Sequence, residues 1–290
     1  GGGFLNEAIL VADEFLSKGK LIVYTEGLNR PKQEAFATRY GIFENKPVVV
    51  LVDEWSASAS EIIAGALQDN DYGTIVGRRS FGKGLVQEQI QLTNGASIRL
   101  TVARYHTPTG RCIQNPYIPG ERNFEEDYIK RLTNGELISL DSIKLDTTQQ
   151  YKTPKGRTVY GGGGIMPDVY VPYRSDTSYI YTNQLSNRGL ILRYTFNYSN
   201  ENRQFLLKTY PDVQDFQTKF TVSQTLFDSL IAFGKSNGLE PDYHSIKLHN
   251  ARLKGLIKAY IARDLYGEKG FFPMYLPLDE DFQKAVEVLK

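Results

Sequence analysis

Apolar positions recur at helical spacing from the start of the chain. Leu5, Ala8, Ile9, Ala12, Phe15 and Leu16 fall on one face, which predicts an amphipathic helix over residues 5–16 that stops near Gly19. Leu21 to Thr25 reads as a short strand. Pro47 to Asp53 is apolar on both faces, the mark of a strand in the middle of a covered parallel sheet. Ile62, Ile63, Ala66 and Leu67 restore helical spacing over Ser60 to Leu67, and Thr74 to Gly77 is another short strand. Helix, strand, strand, helix, strand is the order of αβ crossover units. At Leu85 the period changes to two: Leu85 to Leu92 and Ser97 to Tyr105 flank Thr93-Asn94-Gly95-Ala96, a hairpin signal.

Residues 114–158 are polar and punctuated by Pro116, Pro119, Gly120 and Gly135, so they predict a long excursion with little core of its own. Tyr160 to Pro172 returns through four glycines into a last strand. The boundary predicted there separates an α/β region, residues 1–172, from a mainly helical region, residues 173–290. The helical patterns of the latter are clearest at Gln224 to Phe233 and Tyr243 to Leu265. A chain of 290 residues with 41% apolar and 12% aromatic side chains can fill two cores. The 34 basic and 33 acidic residues are spread evenly and sum to a net charge of +1, which argues against nucleic-acid or anionic-membrane partners. No apolar run reaches the roughly 18 residues of a membrane span. The single cysteine, Cys112, reads as a strand residue without chemistry. Opening on Gly1-Gly2-Gly3 without an initiator Met, the chain reads as an excised fragment whose upstream part is missing.

Candidate chemistry concentrates in Trp55-Ser56-Ala57-Ser58-Ala59-Ser60-Glu61 and Phe81-Gly82-Lys83-Gly84, followed by Gln87. A serine hydroxyl becomes a nucleophile only with a base in reach and donors for the oxyanion that forms. Ser58 sits between a predicted strand and a predicted helix, where the first-turn amides, that of Ala59 above all, are free to serve a developing negative charge. Lys83 can act as the base if burial keeps its amine neutral, and no carboxylate stands within three residues of it. Gln87, at an even separation along a strand, shares its face and can orient the amine. The same residues admit plainer readings. Ser58 or Ser60 with Glu61 resembles a helix-capping box. Gly77 to Lys83 matches all but the last position of a phosphate loop, where Gly84 replaces the hydroxyl, so nucleotide binding is not expected. His106, His244 and His249 are scattered; the last two share a predicted helix at a spacing that does not align metal ligands, so neither a metal nor a cofactor is expected.

Ser56-Ala-Ser-Ala-Ser-Glu-Ile62, Gly65-Ala-Leu-Gln-Asp69, Ile75-Val-Gly77, Ser80-Phe-Gly-Lys-Gly84, Val86-Gln87, Leu100-Thr-Val-Ala-Arg-Tyr105, Thr107-Pro-Thr-Gly-Arg111 and Gly164-Ile-Met-Pro-Asp168 resemble, in order, the blocks of the C-terminal processing (tail-specific) serine peptidases. The resemblance covers roughly residues 1–172. It implies Ser58 as nucleophile, Lys83 as base, Gln87 as its assistant and the Ala59 amide as one oxyanion donor. Gly2 or Gly3 resembles the remnant of the motif that supplies the other. It also implies a crotonase- and Clp-peptidase-like β-β-α superhelix with an antiparallel hairpin extension, protein or peptide substrates cut near their C-termini, no cofactor, and a periplasmic or cell-envelope setting. The PDZ domain usual upstream in the family has no counterpart here. A non-catalytic peptide-binding or scaffolding module is therefore the alternative reading. An acyl-CoA enzyme of the crotonase class would have no use for Ser58, Lys83 and Gln87 together.

Overall fold

The computed structural model describes residues 1–38, 40–116, 124–173 and 180–290. Pro119 and Gly120 of the predicted excursion lie outside the described residues. The chain divides into two compact units, Gly1–Tyr173 with Lys284–Lys290, and Arg174–Gln283.

In the first unit α1 (Leu5–Asp13) is followed by the hairpin β1 (Leu21–Gly27) and β2 (Arg30–Phe36), then β3 (Val48–Val52), α2 (Ala59–Asp69), β4 (Gly73–Gly77), β5 (Leu85–Gln91) and β6 (Ser97–His106). The excursion contributes α3 (Phe124–Thr133) and the small hairpin β7 (Gln150–Lys152) and β8 (Thr158–Tyr160), and the two-residue β9 (Val169–Tyr170) closes the unit. Two sheets result. One is parallel, in the order β3-β4-β9; the other is antiparallel, in the order β2-β1-β6-β5.

The predicted elements therefore form, with three corrections. First, β3 is an edge strand with Leu51 exposed, and the covered centre of the parallel sheet is β4. An apolar run signals burial but does not say which neighbour supplies it. Second, β2 was not expected. Arg-Pro-Lys-Gln-Glu-Ala-Phe is almost wholly exposed on the sheet edge, so it carries no apolar alternation, and Pro31 is tolerated because an edge strand can spare an N–H. Third, residues 114–158 do enter the interior: Leu137 is buried, as are the charged Arg131 and Glu136. The core gathers Ala8, Ala12, Leu16, Ile22, Ile62, Leu67, Ile75 and Tyr105, so α1 and α2 pack against the strands through the faces their spacing marked.

The second unit is helical: α4 (Ile180–Asn187), α5 (Leu190–Glu201), α6 (Arg203–Thr209), α7 (Val213–Lys219), α8 (Gln224–Ser236), α9 (Tyr243–Leu248), α10 (Asn250–Tyr266) and α11 (Glu268–Tyr275), with α12 (Glu280–Leu289) beginning at its end. The stretch predicted as one helix over 243–265 is two, parted at His249, which caps α10 and lies outside the helix that holds His244. The core of the unit is built from α5, α8 and α10 with Phe216 and Phe220, whose rings stack at 4.3 Å.

Candidate active site

Between β3 and α2 the chain turns sharply. The Asp53 carboxylate accepts hydrogen bonds from the Trp55 N–H and the Ser56 hydroxyl, each at 3.0 Å. Two residues later Ser58 adopts φ 57° and ψ −118°, a strained conformation for a residue with a side chain. The strain is met by Glu61, whose carboxylate accepts the Ser58 N–H at 2.7 Å, so the capping reading is right as far as it goes.

Glu61 does more than cap. The same oxygen accepts the Lys83 N–H at 2.9 Å, and the other accepts the Gly82 N–H at 2.6 Å and the Ser80 hydroxyl at 2.5 Å. From β6, the Tyr105 hydroxyl lies 2.6 Å from the Lys83 carbonyl and 3.1 Å from the Ser58 carbonyl, placed to donate to both. Two buried side chains thus join the backbones of Ser58 and Lys83, one through their amides and one through their carbonyls. Burial pushes the Glu61 carboxyl upward, against the pull of its four donors. Burial, reinforced by Glu61 beside it, pushes the Tyr105 phenol well up and keeps it a donor.

Lys83 lies in the loop between β4 and β5 and not in a strand, since β5 begins at Leu85. A bulge between Val86 and Gln87 further breaks the expected parity. That loop is layered against two others. The Asn115 N–H donates to the Gly82 carbonyl at 2.9 Å and its side chain to the Phe81 carbonyl at 2.7 Å, while the Gly164 N–H donates to the Ile113 carbonyl at 2.8 Å. Gly164, at φ 80°, comes so close that a Cβ there would sit 2.5 Å from the Ser80 carbonyl oxygen.

Ser58, Ala59, Lys83, Gln87 and Gly3 line one cavity of about 470 Å³, together with Tyr105, Arg99 and the apolar Phe4, Leu5, Ile62, Leu85 and Val86. Gly2 approaches Ser58 so closely that a Cβ on it would be 2.8 Å from the serine Cβ and 2.5 Å from the Ala57 carbonyl oxygen. Among the described residues, the N–H groups of Gly2, Gly3 and Ala59 donate to no protein acceptor. The side chains are less assembled than the backbone. Lys83 is half-buried, and among the described residues its Nζ makes no hydrogen bond or ion pair. The Gln87 amide points toward the Thr101 hydroxyl at 3.5 Å and not toward the lysine. His106 stacks on Tyr24 with ring centroids 4.6 Å apart and is not in the cavity wall. No group of side chains suited to a metal ion occurs among the described residues.

Sequence reasoning read Glu61 only as a cap and gave Tyr105 no role. One signal was available. Glu61, Ala64, Gly65 and Gln68 form a single helical face, and a carboxylate next to Ala64 and Gly65, where neighbouring elements can approach closely, is one that packing will bury and partners must satisfy.

Residues 1–124 match the model of peptidase family S41, a span that holds Ser58, Glu61, Lys83, Gln87 and Tyr105 but not Gly164. The match takes in less than half of the chain. A carboxy-terminal-processing protease of Bartonella bacilliformis is 46% identical over 132 residues, covering 44% of this chain and 30% of that protein. A carboxyl-terminal-processing protease of Synechocystis is 48% identical over 108 residues, 37% of this chain and 25% of that protein. The chain therefore spans a third or less of the curated relatives it matches. A solved photosystem II D1 C-terminal processing protease is 28% identical, with a TM-score of 0.41 over 59% of this chain and 32% of its own. Outside the S41 segment, residues 181–267 match a family of unknown function, DUF8443.

Proposed function

We propose that the S41 segment is the catalytic core of a serine endopeptidase that cuts protein substrates in their C-terminal region, with Ser58 as nucleophile and Lys83 as base. The observation that carries this reading is the pair of bridges, Glu61 and Tyr105, that hold the backbones of Ser58 and Lys83 side by side at one cavity wall. In the first step Ser58 Oγ bonds to the scissile carbonyl carbon and passes its proton to the Lys83 amine. The oxyanion is received by the Ala59 N–H and that of Gly2 or Gly3, with the N-terminal dipole of α2 behind them. Collapse of the adduct breaks the C–N bond, and the Lys83 ammonium returns the proton to the leaving amine. Water then attacks the acyl ester, its proton going to Lys83 and from there to Ser58 Oγ, and no cofactor takes part. Lys83 Nζ has to swing toward Ser58, and Gln87 toward Lys83, when substrate fills the cavity. A crotonase- and Clp-peptidase-like superhelix, an upstream PDZ domain in the whole protein and a periplasmic or cell-envelope setting belong to the same proposal.

The test is turnover of an unstructured protein by the full-length protein with Ser58→Ala or Lys83→Ala, each expected to lower kcat by a factor on the order of 10⁴ or more. Undiminished turnover by either variant removes the assignment. The unbonded Lys83 amine is the observation that favours the other reading, a peptide-binding module; failure of a serine-reactive acylating probe to label Ser58 in the full-length protein would support it.

A further inference from the structure

One element lies outside the peptidase reading, the helix α3 in the excursion that the sequence marks as lacking a core. It touches both halves of the site. Tyr128 packs its ring on Trp55 with centroids 4.8 Å apart, and Trp55 stands three residues before Ser58 on the strained turn. One helical turn later Arg131 donates to the Arg79 carbonyl at 2.5 Å and the Ser80 carbonyl at 3.2 Å, and Ser80 stands three residues before Lys83. Arg131 is itself held: its Nε donates to Glu136 at 2.8 Å, and Glu136 takes two further bonds from Arg79, each at 2.7 Å. Arg131 and Glu136 are nearly fully buried, so the network is screened little by solvent. A planar guanidinium, with donors fixed in one fork, is suited to hold two successive carbonyls and a carboxylate at once.

We propose that α3 is a clamp that sets the separation of the serine turn and the lysine loop, with Tyr128 and Arg131 as positioning residues that act through Trp55 and Ser80. This rests on the Ser58 and Lys83 assignment above. Loss of the clamp leaves the substrate cavity intact, since neither residue lines it, but lets the reacting groups drift apart. A displacement of about 1 Å costs on the order of 10²-fold in rate.

The experiment uses the full-length protein with Arg131→Ala, Tyr128→Ala and Tyr128→Phe. It reads kcat and KM on an unstructured protein, and the rate and pH profile of Ser58 phosphonylation by a fluorophosphonate, in which the P–O bond forms as fluoride leaves. Arg131→Ala and Tyr128→Ala are expected to lower kcat and the labelling rate by roughly 10- to 100-fold with KM within about twofold. Tyr128→Phe keeps the ring and is expected at the wild-type rate. Millimolar methylguanidinium is expected to restore part of the Arg131→Ala rate, which a merely unfolded variant would not allow. Wild-type kcat, labelling and pH profile in both alanine variants overturn the clamp. Should Arg131→Ala fail to fold, Tyr128→Ala with Tyr128→Phe decides alone, and equal rates in those two overturn it. Turnover that survives Ser58→Ala overturns the peptidase reading itself, and the clamp with it.

Discussion

Ser58 is held in a left-handed conformation by bonds that also reach Lys83, so the residues that relieve its strain are the ones that bring the base loop to it. The dependence can be measured. Glu61→Gln replaces one acceptor oxygen by a donor that faces amide or hydroxyl donors, and is expected to cost about 2–4 kcal/mol in urea unfolding and to lower kcat. The pH dependence has a definite sign. Because burial raises the Glu61 carboxyl, its protonated form is favoured in the folded state; the stability it contributes is complete below the ordinary carboxylate range and is lost as pH rises through its raised value. Wild-type stability is therefore expected to decline as pH rises from the ordinary carboxylate range through that raised value, read by urea unfolding across pH. Tyr105→Phe removes the hydroxyl at the two carbonyls and is expected to cost about 1–2 kcal/mol, read in the same unfolding assay. Gly2→Ala is expected to lower turnover far more than Gly3→Ala, since only the former drives a Cβ into the Ala57 carbonyl oxygen.

At the scale of elements, the existence and type of α1, α2, β1, β4 and the β5–β6 hairpin could be read from consecutive residues, though α1 ends at Asp13, short of the expected residue 16, because periodicity and the Asn94-Gly95 turn are local properties. The position of β3 at an edge could not, nor could the hairpin strand β2, whose polar sequence reflects the absence of a neighbour on one side. Lys83 illustrates the same limit within the site. Its even spacing from Gln87 suggested a common strand face, yet the loop that carries Lys83 is shaped by segments 112–115 and 161–164 packed on it, and Gln87 falls beyond a bulge. The four-glycine stretch thereby acquires a reason. Gly164→Ala must hold a positive φ and push a Cβ against the Ser80 carbonyl oxygen, and is expected to destabilise the protein by at least about 2 kcal/mol and to slow Ser58 labelling.

At the scale of the molecule, each unit carries its own apolar core, and the single tryptophan, Trp55, lies in the first. Fluorescence therefore reports the first unit, while helical circular dichroism is weighted toward the second. Phe216→Ala, which opens a stacked and fully buried aromatic cluster, is expected to destabilise the helical unit by about 3–5 kcal/mol and shift the dichroism transition while leaving the Trp55 transition in place. Coincident shifts of both signals would show that the units unfold as one. By itself the sequence determined the order and type of most elements, a mainly helical second region, and the short blocks around Ser58 and Lys83, because each of these is written in residues close together along the chain. Only the tertiary structure decided that Glu61 and Tyr105 join those blocks, that Lys83 rides a loop, and that the polar excursion returns Arg131 to the base loop. Such contacts join residues tens of positions apart, and they follow from sheet order and from the need of every buried charge and backbone group to find a partner, which no local pattern records.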